Sequence, residues 1–214
     1  MDEDISAINT NTRNEKIKNF FINNKKRIIV VLSILILLII GYFTYGEIKK
    51  KNKIKIADQY NSFKINFLSG NKIDIESKMV EIIYAKDKTY SPLALYFLLD
   101  NNIISSQDKI NNLFDILIND TPLEKEIINL IIYKKAIYNS DFESENNLLK
   151  ILNPIINSDS IWKSHALYLL GEYFLSKNEK EKAKEFFEKI IVAENSNSKI
   201  KLEAQKRIER DLGE

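Results

Sequence analysis

Hydrophobic and polar residues divide this chain into three parts. Residues 1–15 are mostly polar, residues 28–46 carry no charge, and from residue 56 onward apolar residues recur every three or four positions. That spacing places apolar side chains on one face of an α-helix. No long alternation of apolar and polar residues, which is typical of strands, occurs. The pattern therefore predicts an all-α chain.

The uncharged stretch is long enough to cross a membrane. Its 19 residues, 28–46, are nearly all apolar and would form a helix of about 28 Å, close to the ~30 Å hydrocarbon core of a bilayer. A cleaved signal peptide is the alternative, but its apolar region is shorter and ends at a small-residue cleavage site. The end of this stretch and the residues after it, GYFTYGEIKKK at 41–51, contain no such site. We therefore expect a single retained transmembrane helix.

The segments that flank this helix do not decide its orientation. Residues 1–27 are predicted to form a tail with a short amphipathic helix, in which Ile17, Phe20 and Phe21 share one face. Basic residues number six before the apolar run and five after it, so the positive-inside rule gives no clear asymmetry. These residues are Arg13, Lys16, Lys18, Lys25, Lys26 and Arg27 before it, and Lys49, Lys50, Lys51, Lys53 and Lys55 after it.

Composition narrows the class of protein behind the helix. Residues 56–214 contain 21 basic and 25 acidic residues, a net charge of −4. Because a domain with this charge has no excess of basic residues to attract phosphates, nucleic acid is a disfavoured partner. The chain has no cysteine, which excludes disulfides and thiolate metal sites.

A repeat pattern is the most informative feature. The stretch SHALYLLGEYFLSKNEKEKAKEFFEKII, from Ser164, matches the tetratricopeptide pattern of two antiparallel helices. Small residues at Gly171 and Ala183 would let the two helices approach, while larger apolar residues fill the space between them. The predicted core positions are Leu167, Leu170, Gly171, Phe174, Ala183, Phe187 and Ile190.

Two degenerate copies of this hairpin precede it at a step of 36 residues. In this register Ile131 and Leu95 are the residues equivalent to Leu167. Lys135 and Leu99 are the residues equivalent to Gly171. Hairpins that cannot bury their faces alone stack into a solenoid. We therefore expect connecting helices over 47–90, tetratricopeptide-like repeats over 91–214, and a capping helix around residues 200–208. Whether residues 47–90 join the solenoid is left open.

The first helix of each hairpin would line a candidate partner groove. In the 36-residue register the groove positions are Tyr96, Asp100, Ile132, Ala136, His165, Tyr168 and Glu172. Tyrosines there could stack on a bound peptide or hydrogen-bond to it; alternatively, they pack against the next helix.

The sequence lacks the motifs of common enzyme sites. It has no phosphate-binding loop, no G-x-S-x-G motif and no H-E-x-x-H motif. His165 is the only histidine and stands near the start of a predicted helix, which is typical of a surface or groove residue. Trp162 is interpreted as a core anchor, with a binding hot spot as the alternative. We therefore expect no catalytic residue, no cofactor, no metal ligand and no small-molecule substrate.

In its arrangement the chain resembles the YfgM-like ancillary subunits of the bacterial Sec translocon. The resemblance extends from residue 15 to about residue 212, in the order tail motif, membrane helix, tetratricopeptide-like domain. The matching stretches are EKIKNFF at 15–21, KTYSPLALYFL at 88–98, LEKEIINL at 123–130, LLKILNPI at 148–155 and LGEYFLSKNEKEKAKEFFE at 170–188.

The resemblance implies a single-pass protein of the bacterial inner membrane, with the N-terminus in the cytoplasm and the C-terminal domain in the periplasm. It further implies association with the SecYEG channel and with a membrane-anchored, parvulin-like periplasmic chaperone, and it assigns no catalytic residues. The expected function is a scaffold linking the translocon to chaperones or emerging client proteins. The lysines of residues 49–55 suit an anionic cytoplasmic leaflet and keep open a cytoplasm-facing assembly adaptor of reversed topology.

Overall fold

The computed structural model describes the backbone of residues 2–213 and the side chains of residues 14–213. Within this part of the chain there are nine α-helices and no strand, so the predicted all-α class with one long apolar N-terminal helix is confirmed. The helices are α1 Asp2–Leu68, α2 Ile75–Tyr84, α3 Tyr90–Asp100, α4 Gln107–Asp115, α5 Lys125–Asn139, α6 Glu145–Ile156, α7 Lys163–Ser176, α8 Lys180–Val192 and α9 Ser198–Arg207.

Helix α1 is continuous where the sequence analysis expected separate segments. The predicted polar tail, amphipathic helix and transmembrane helix all belong to it. The first proline of the chain is Pro92, and the only glycines before residue 70 are Gly41 and Gly46, so no strong helix breaker precedes Leu68. Met1 and the side chains of residues 2–13, which belong to the predicted tail, lie outside the described part.

Residues 1–55 form the first of two compact units. The described part of this unit is a single helix, and it includes the one stretch found in residues 14–213 that is long and apolar enough to cross a membrane. Its hydroxyl groups bond within the helix: Ser33 donates to the carbonyl of Ile29 at 2.9 Å, and Thr44 to that of Ile40 at 2.8 Å. Such bonds leave these hydroxyls satisfied in a hydrocarbon environment.

Residues 56–214 form the second unit, so the array begins inside α1. Tyr60 is buried in the first hydrophobic cluster, and Phe63 and Phe67 pack against that cluster. The ring of Tyr60 lies 5.7 Å from that of Tyr90 in α3. The question left open for residues 47–90 is thereby answered for residues 56–90, which belong to the same unit as the repeats.

Two hydrophobic clusters run through this unit and divide at α5. The first includes Met79, Leu98 and Phe114 and ends at Ile131. The second begins at the next residue, Ile132, and continues through α6 to α9. Helix α5 therefore contributes adjacent side chains to two different parts of the core.

Helices α7 and α8 make the most extensive contact of any two elements in the described part of the chain. A Cβ atom at position 171 would lie 2.5 Å from Cε1 of Phe187, so only glycine fits against this ring without movement. The seven predicted core positions of this hairpin are all buried. The small residue at 171 thus allows the close approach that the sequence pattern requires.

The repeat step between the last two hairpins is 35 residues, and the predicted 36 is wrong. Leu148, Leu152 and Ile155 of α6 are fully buried, as are Ala183, Phe187 and Ile190 of α8. With a step of 35 residues, the position equivalent to Gly171 is Ala136 and not Lys135. Ala136 is also fully buried. A small residue is therefore present in the α5/α6 hairpin after all.

The first predicted copy does not form the expected close hairpin. Helix α3 makes its most extensive helix contact with α2, and not with α4. Leu95 and Leu98 are large, fully buried residues of α3. Large side chains hold neighbouring helices further apart than a glycine does. At the other end of the array, α9 packs on α8 and α7 as the predicted capping helix would.

Candidate functional site

One surface of α7 carries three of the predicted groove residues together. His165, Tyr168 and Glu172 follow at intervals of three and four residues, which places them on one side of the helix. All three are half-buried. We call this surface the α7 face. It is bordered by α5 near His165 and by α9 near Glu172.

An aromatic cluster forms the end of the α7 face that lies against α5. The ring of Tyr133 stacks on Trp162 at 6.0 Å, and the ring of His165 lies 5.2 Å from Trp162 and 5.9 Å from Tyr133. Trp162 donates its indole N–H to the carbonyl of Glu126 at 3.1 Å. Burial lowers the pKa of His165, which favours the neutral imidazole. The cluster therefore presents aromatic, uncharged surface.

An ion pair forms the end of the α7 face that lies against α9. Arg207 donates from Nη2 to Oε2 of Glu172 at 2.6 Å, and its Nε lies 2.6 Å from Oε1. Asp211 accepts a further bond from Nη1 at 2.9 Å. Hydrogen bonds to Asp211 and Tyr168 hold the pKa of Arg207 above its usual value. The guanidinium thus remains charged and fixes α9 against α7.

Tyr168 lies between these two ends. Its ring is 5.4 Å from Phe187, so one side of it belongs to the α7/α8 hairpin. Burial is the main cause that raises its pKa. Tyr168 therefore packs on the next helix and is still partly accessible, and binding of a peptide by its ring stays a prediction.

The remaining predicted groove residues divide into two groups. Tyr96 is half-buried, with Nζ of Lys134 at 4.3 Å from its ring centroid, and burial raises its pKa to about 12. Asp100 is exposed at the last position of α3. Ile132 and Ala136 are only 7 % and 0 % exposed and belong to the second hydrophobic cluster. Their assignment to the groove was wrong, because the 36-residue step put α5 out of register by one residue.

The corrected step identifies residues that the sequence analysis missed. Moving back 35 residues from Tyr168 and Glu172 gives Tyr133 and Ile137, and moving forward from Glu172 gives Arg207. Tyr133 and Arg207 both contact the α7 face, and Ile137 is 44 % exposed. Trp162, interpreted as a core anchor rather than a binding hot spot, packs against the second hydrophobic cluster, and it is also half-buried and belongs to the aromatic cluster.

The chemistry available on this surface suits binding. It offers aromatic rings, a fixed carboxylate–guanidinium pair and partly exposed aliphatic carbon. Within residues 14–213 no group of three or more His, Asp or Glu side chains is placed to hold a metal ion. A groove of about 570 Å³ lies elsewhere in the array, between the start of α2 and the loop after α3, and Lys72, Lys109, Asp74 and Glu76 are among its lining residues.

Comparisons of the chain with protein-family models, curated proteins and solved structures gave no match. The likeness to YfgM-like translocon subunits therefore remains a prediction from sequence.

Proposed function

We propose that this chain is a non-enzymatic, membrane-anchored scaffold that associates with the Sec translocon and links it to periplasmic chaperones or emerging client proteins. The observation that carries the proposal is the α7 face, a partly exposed aromatic and charged surface shared by three helices of an array. The apolar stretch of α1 supports anchoring, and the order of the sequence motifs supports the translocon as the partner.

Anchoring explains how such a modest surface could suffice. A partner held in the same membrane meets the α7 face at a high effective concentration, so individually weak contacts give stable association. Aromatic side chains supply large contact area at little cost in conformational entropy. A parvulin-like chaperone or an extended client segment could both use such a surface.

Replacing Tyr96 or Tyr168 with alanine is expected to weaken capture of SecYEG and of the chaperone by about tenfold, the effect of losing one aromatic contact of moderate strength. Both rings are half-buried and lie on the predicted partner surface. Capture is measured by chemical crosslinking in native membranes followed by purification of the full chain and quantification of the bound proteins.

Tyr84→Ala provides the matched control, because Tyr84 is 59 % exposed on α2 and is not one of the predicted groove residues. Fluorescence of the single tryptophan, Trp162, shows whether each variant remains folded. Capture that is unchanged in folded Tyr96→Ala and Tyr168→Ala, or that falls equally in Tyr84→Ala, removes the groove assignment.

Topology is tested by single cysteines in a chain that has none of its own. Asn14→Cys and Ser176→Cys are both at exposed positions, one before the apolar stretch and one at the end of α7. With a membrane-impermeant thiol reagent on intact spheroplasts, the proposal predicts labelling at position 176 and protection at position 14.

The lysines of residues 49–55 favour a second candidate, a cytoplasm-facing assembly adaptor with the same fold and reversed topology. This candidate predicts the opposite result, with labelling at position 14 and protection at position 176. Labelling at neither position until the membrane is permeabilised would place both segments inside and contradict a single-pass topology.

A further inference from the structure

A collar of unpaired lysines surrounds α1 beyond its apolar stretch. We define the lysine collar as Lys49, Lys50, Lys51, Lys53 and Lys55. All five side chains are exposed, and none forms an ion pair with any of the residues whose side chains the structure describes. Glu47 is the only acidic residue between residues 16 and 57. The collar is therefore a concentrated positive charge without an internal partner.

The lysines are spread over about two thirds of the circumference of the helix. At about 100° per residue, Lys49, Lys50 and Lys51 are spread over more than half of the circumference, and Lys55 extends the coverage further. A surface that binds one protein partner would concentrate its charges on one side. Charge distributed over most of the circumference instead fits a surrounding layer of small anionic groups.

The position of the collar along α1 fits the headgroup layer of a bilayer. Tyr42 and Tyr45, 75 % and 67 % exposed, end the apolar stretch at the depth where aromatic rings prefer to lie. Lys49 follows Tyr45 by about 6 Å, and Lys55 by about 15 Å. The headgroup region of one leaflet is roughly 5–7 Å thick, and a lysine side chain can extend several ångströms toward phosphate. Lys49 thus lies at the outer edge of the headgroup layer, and the other collar lysines lie just beyond it, where their side chains and charges can still act on the phosphates.

We propose that the lysine collar binds the phosphate groups of anionic phospholipids and surrounds α1 with an annulus enriched in them. The inference rests on the membrane anchorage of the proposed function, but it holds for either orientation, because the collar lies at a headgroup layer in both. Each lysine near such a surface contributes an attraction that salt screens within a Debye length.

The test uses the full chain reconstituted in phosphatidylcholine vesicles that contain spin-labelled phosphatidylglycerol or spin-labelled phosphatidylcholine. Electron spin resonance measures the fraction of each labelled lipid that the protein immobilises. We expect the association constant for phosphatidylglycerol to exceed that for phosphatidylcholine about fourfold at ~0.1 M salt, and the preference to diminish at ~1 M salt.

Replacing all five collar lysines by glutamine is expected to lower this preference to about twofold, the remainder coming from the basic residues before the apolar stretch. The matched control replaces five exposed lysines of the array, namely Lys88, Lys125, Lys150, Lys180 and Lys199, and so changes the net charge equally. The control variant should keep the fourfold preference.

The possible outcomes separate the two proposals. A chain that alkaline carbonate extracts from native membranes is not anchored, which overturns the proposed function and this inference together. An anchored chain whose lipid preference is absent, or is unchanged in the collar variant, overturns the inference alone. So does a collar variant that keeps its lipid preference but loses an acidic protein partner, because the collar would then bind protein.

Discussion

Replacing Gly171 with leucine is expected to lower the free energy of unfolding of the helical array by about 3 kcal/mol. Even a Cβ at this position would lie 2.5 Å from Cε1 of Phe187, and the Phe187 ring is fully buried and has no solvent to move into. Overpacking a close helix crossing forces side chains off their rotamers or the helices apart, at a cost of roughly 1–3 kcal/mol or more.

This loss corresponds to a decrease in Tm of about 6–12 °C for a unit of this size. Thermal unfolding of the full chain in detergent micelles, followed by the fluorescence of Trp162, measures it. Trp162 is the only tryptophan, so the signal reports on the array and not on the apolar stretch of α1.

A second substitution distinguishes overpacking from other causes. Phe187→Ala alone should cost about 3–5 kcal/mol, because it leaves a cavity in the second hydrophobic cluster. Combined with Gly171→Leu, it should cost clearly less than the sum of the two single changes, since leucine fills part of the vacated space. Strict additivity would show that residues 171 and 187 are not in contact.

Replacing Asn139 with alanine is expected to cost about 2 kcal/mol. Asn139 is fully buried near the end of α5, and its amide exchanges two hydrogen bonds with Asn111 of α4, at 2.7 and 3.0 Å. Gln107 donates to it at 3.3 Å, and it donates to the carbonyl of Lys135 at 2.8 Å. Its removal leaves several polar groups without their partner, which is more costly than the net gain from the bonds themselves.

Urea unfolding monitored by Trp162 fluorescence measures this change as a lower midpoint with an unchanged slope. Asn112→Ala is the matched control, because Asn112 is exposed on the same helix as Asn111. This change should lower the free energy of unfolding by less than about 0.5 kcal/mol. Adding Asn111→Ala to Asn139→Ala should cost little more than the single change. A full second penalty would mean that the two amides act independently.

The α7/α8 hairpin could be predicted from sequence because its small residues leave a specific pattern. Gly171 and Ala183 occupy positions where only small side chains allow the crossing, and Phe187 is large enough to need that space. The register of α5 could not be predicted in the same way. Ile131 and Ile132 are both apolar and both buried, one in each cluster, so hydrophobic periodicity is compatible with a step of 35 or of 36 residues.

The candidate site was predictable only within one helix. Helical spacing alone puts His165, Tyr168 and Glu172 on one face. The residues that border them, Tyr133 and Arg207, belong to other helices and follow from the 35-residue step, which requires the packing of α5 and α9 to be known. The start of the second compact unit at Ile56 could not be predicted from sequence either, because one uninterrupted helix contributes residues to both compact units.

The 35-residue step also bears on how the array forms. Glu172 and Arg207 are 35 residues apart, Lys86 and Asp120 are 34 apart, and Lys109 and Glu76 are 33 apart. Contacts between neighbouring hairpins thus span short stretches of chain, and loop closure over such distances is fast. All buried residues of the first hydrophobic cluster have been synthesised once the chain reaches Ile131. Each later hairpin then finds a finished surface to dock on, so this array can fold in the order in which it leaves the ribosome.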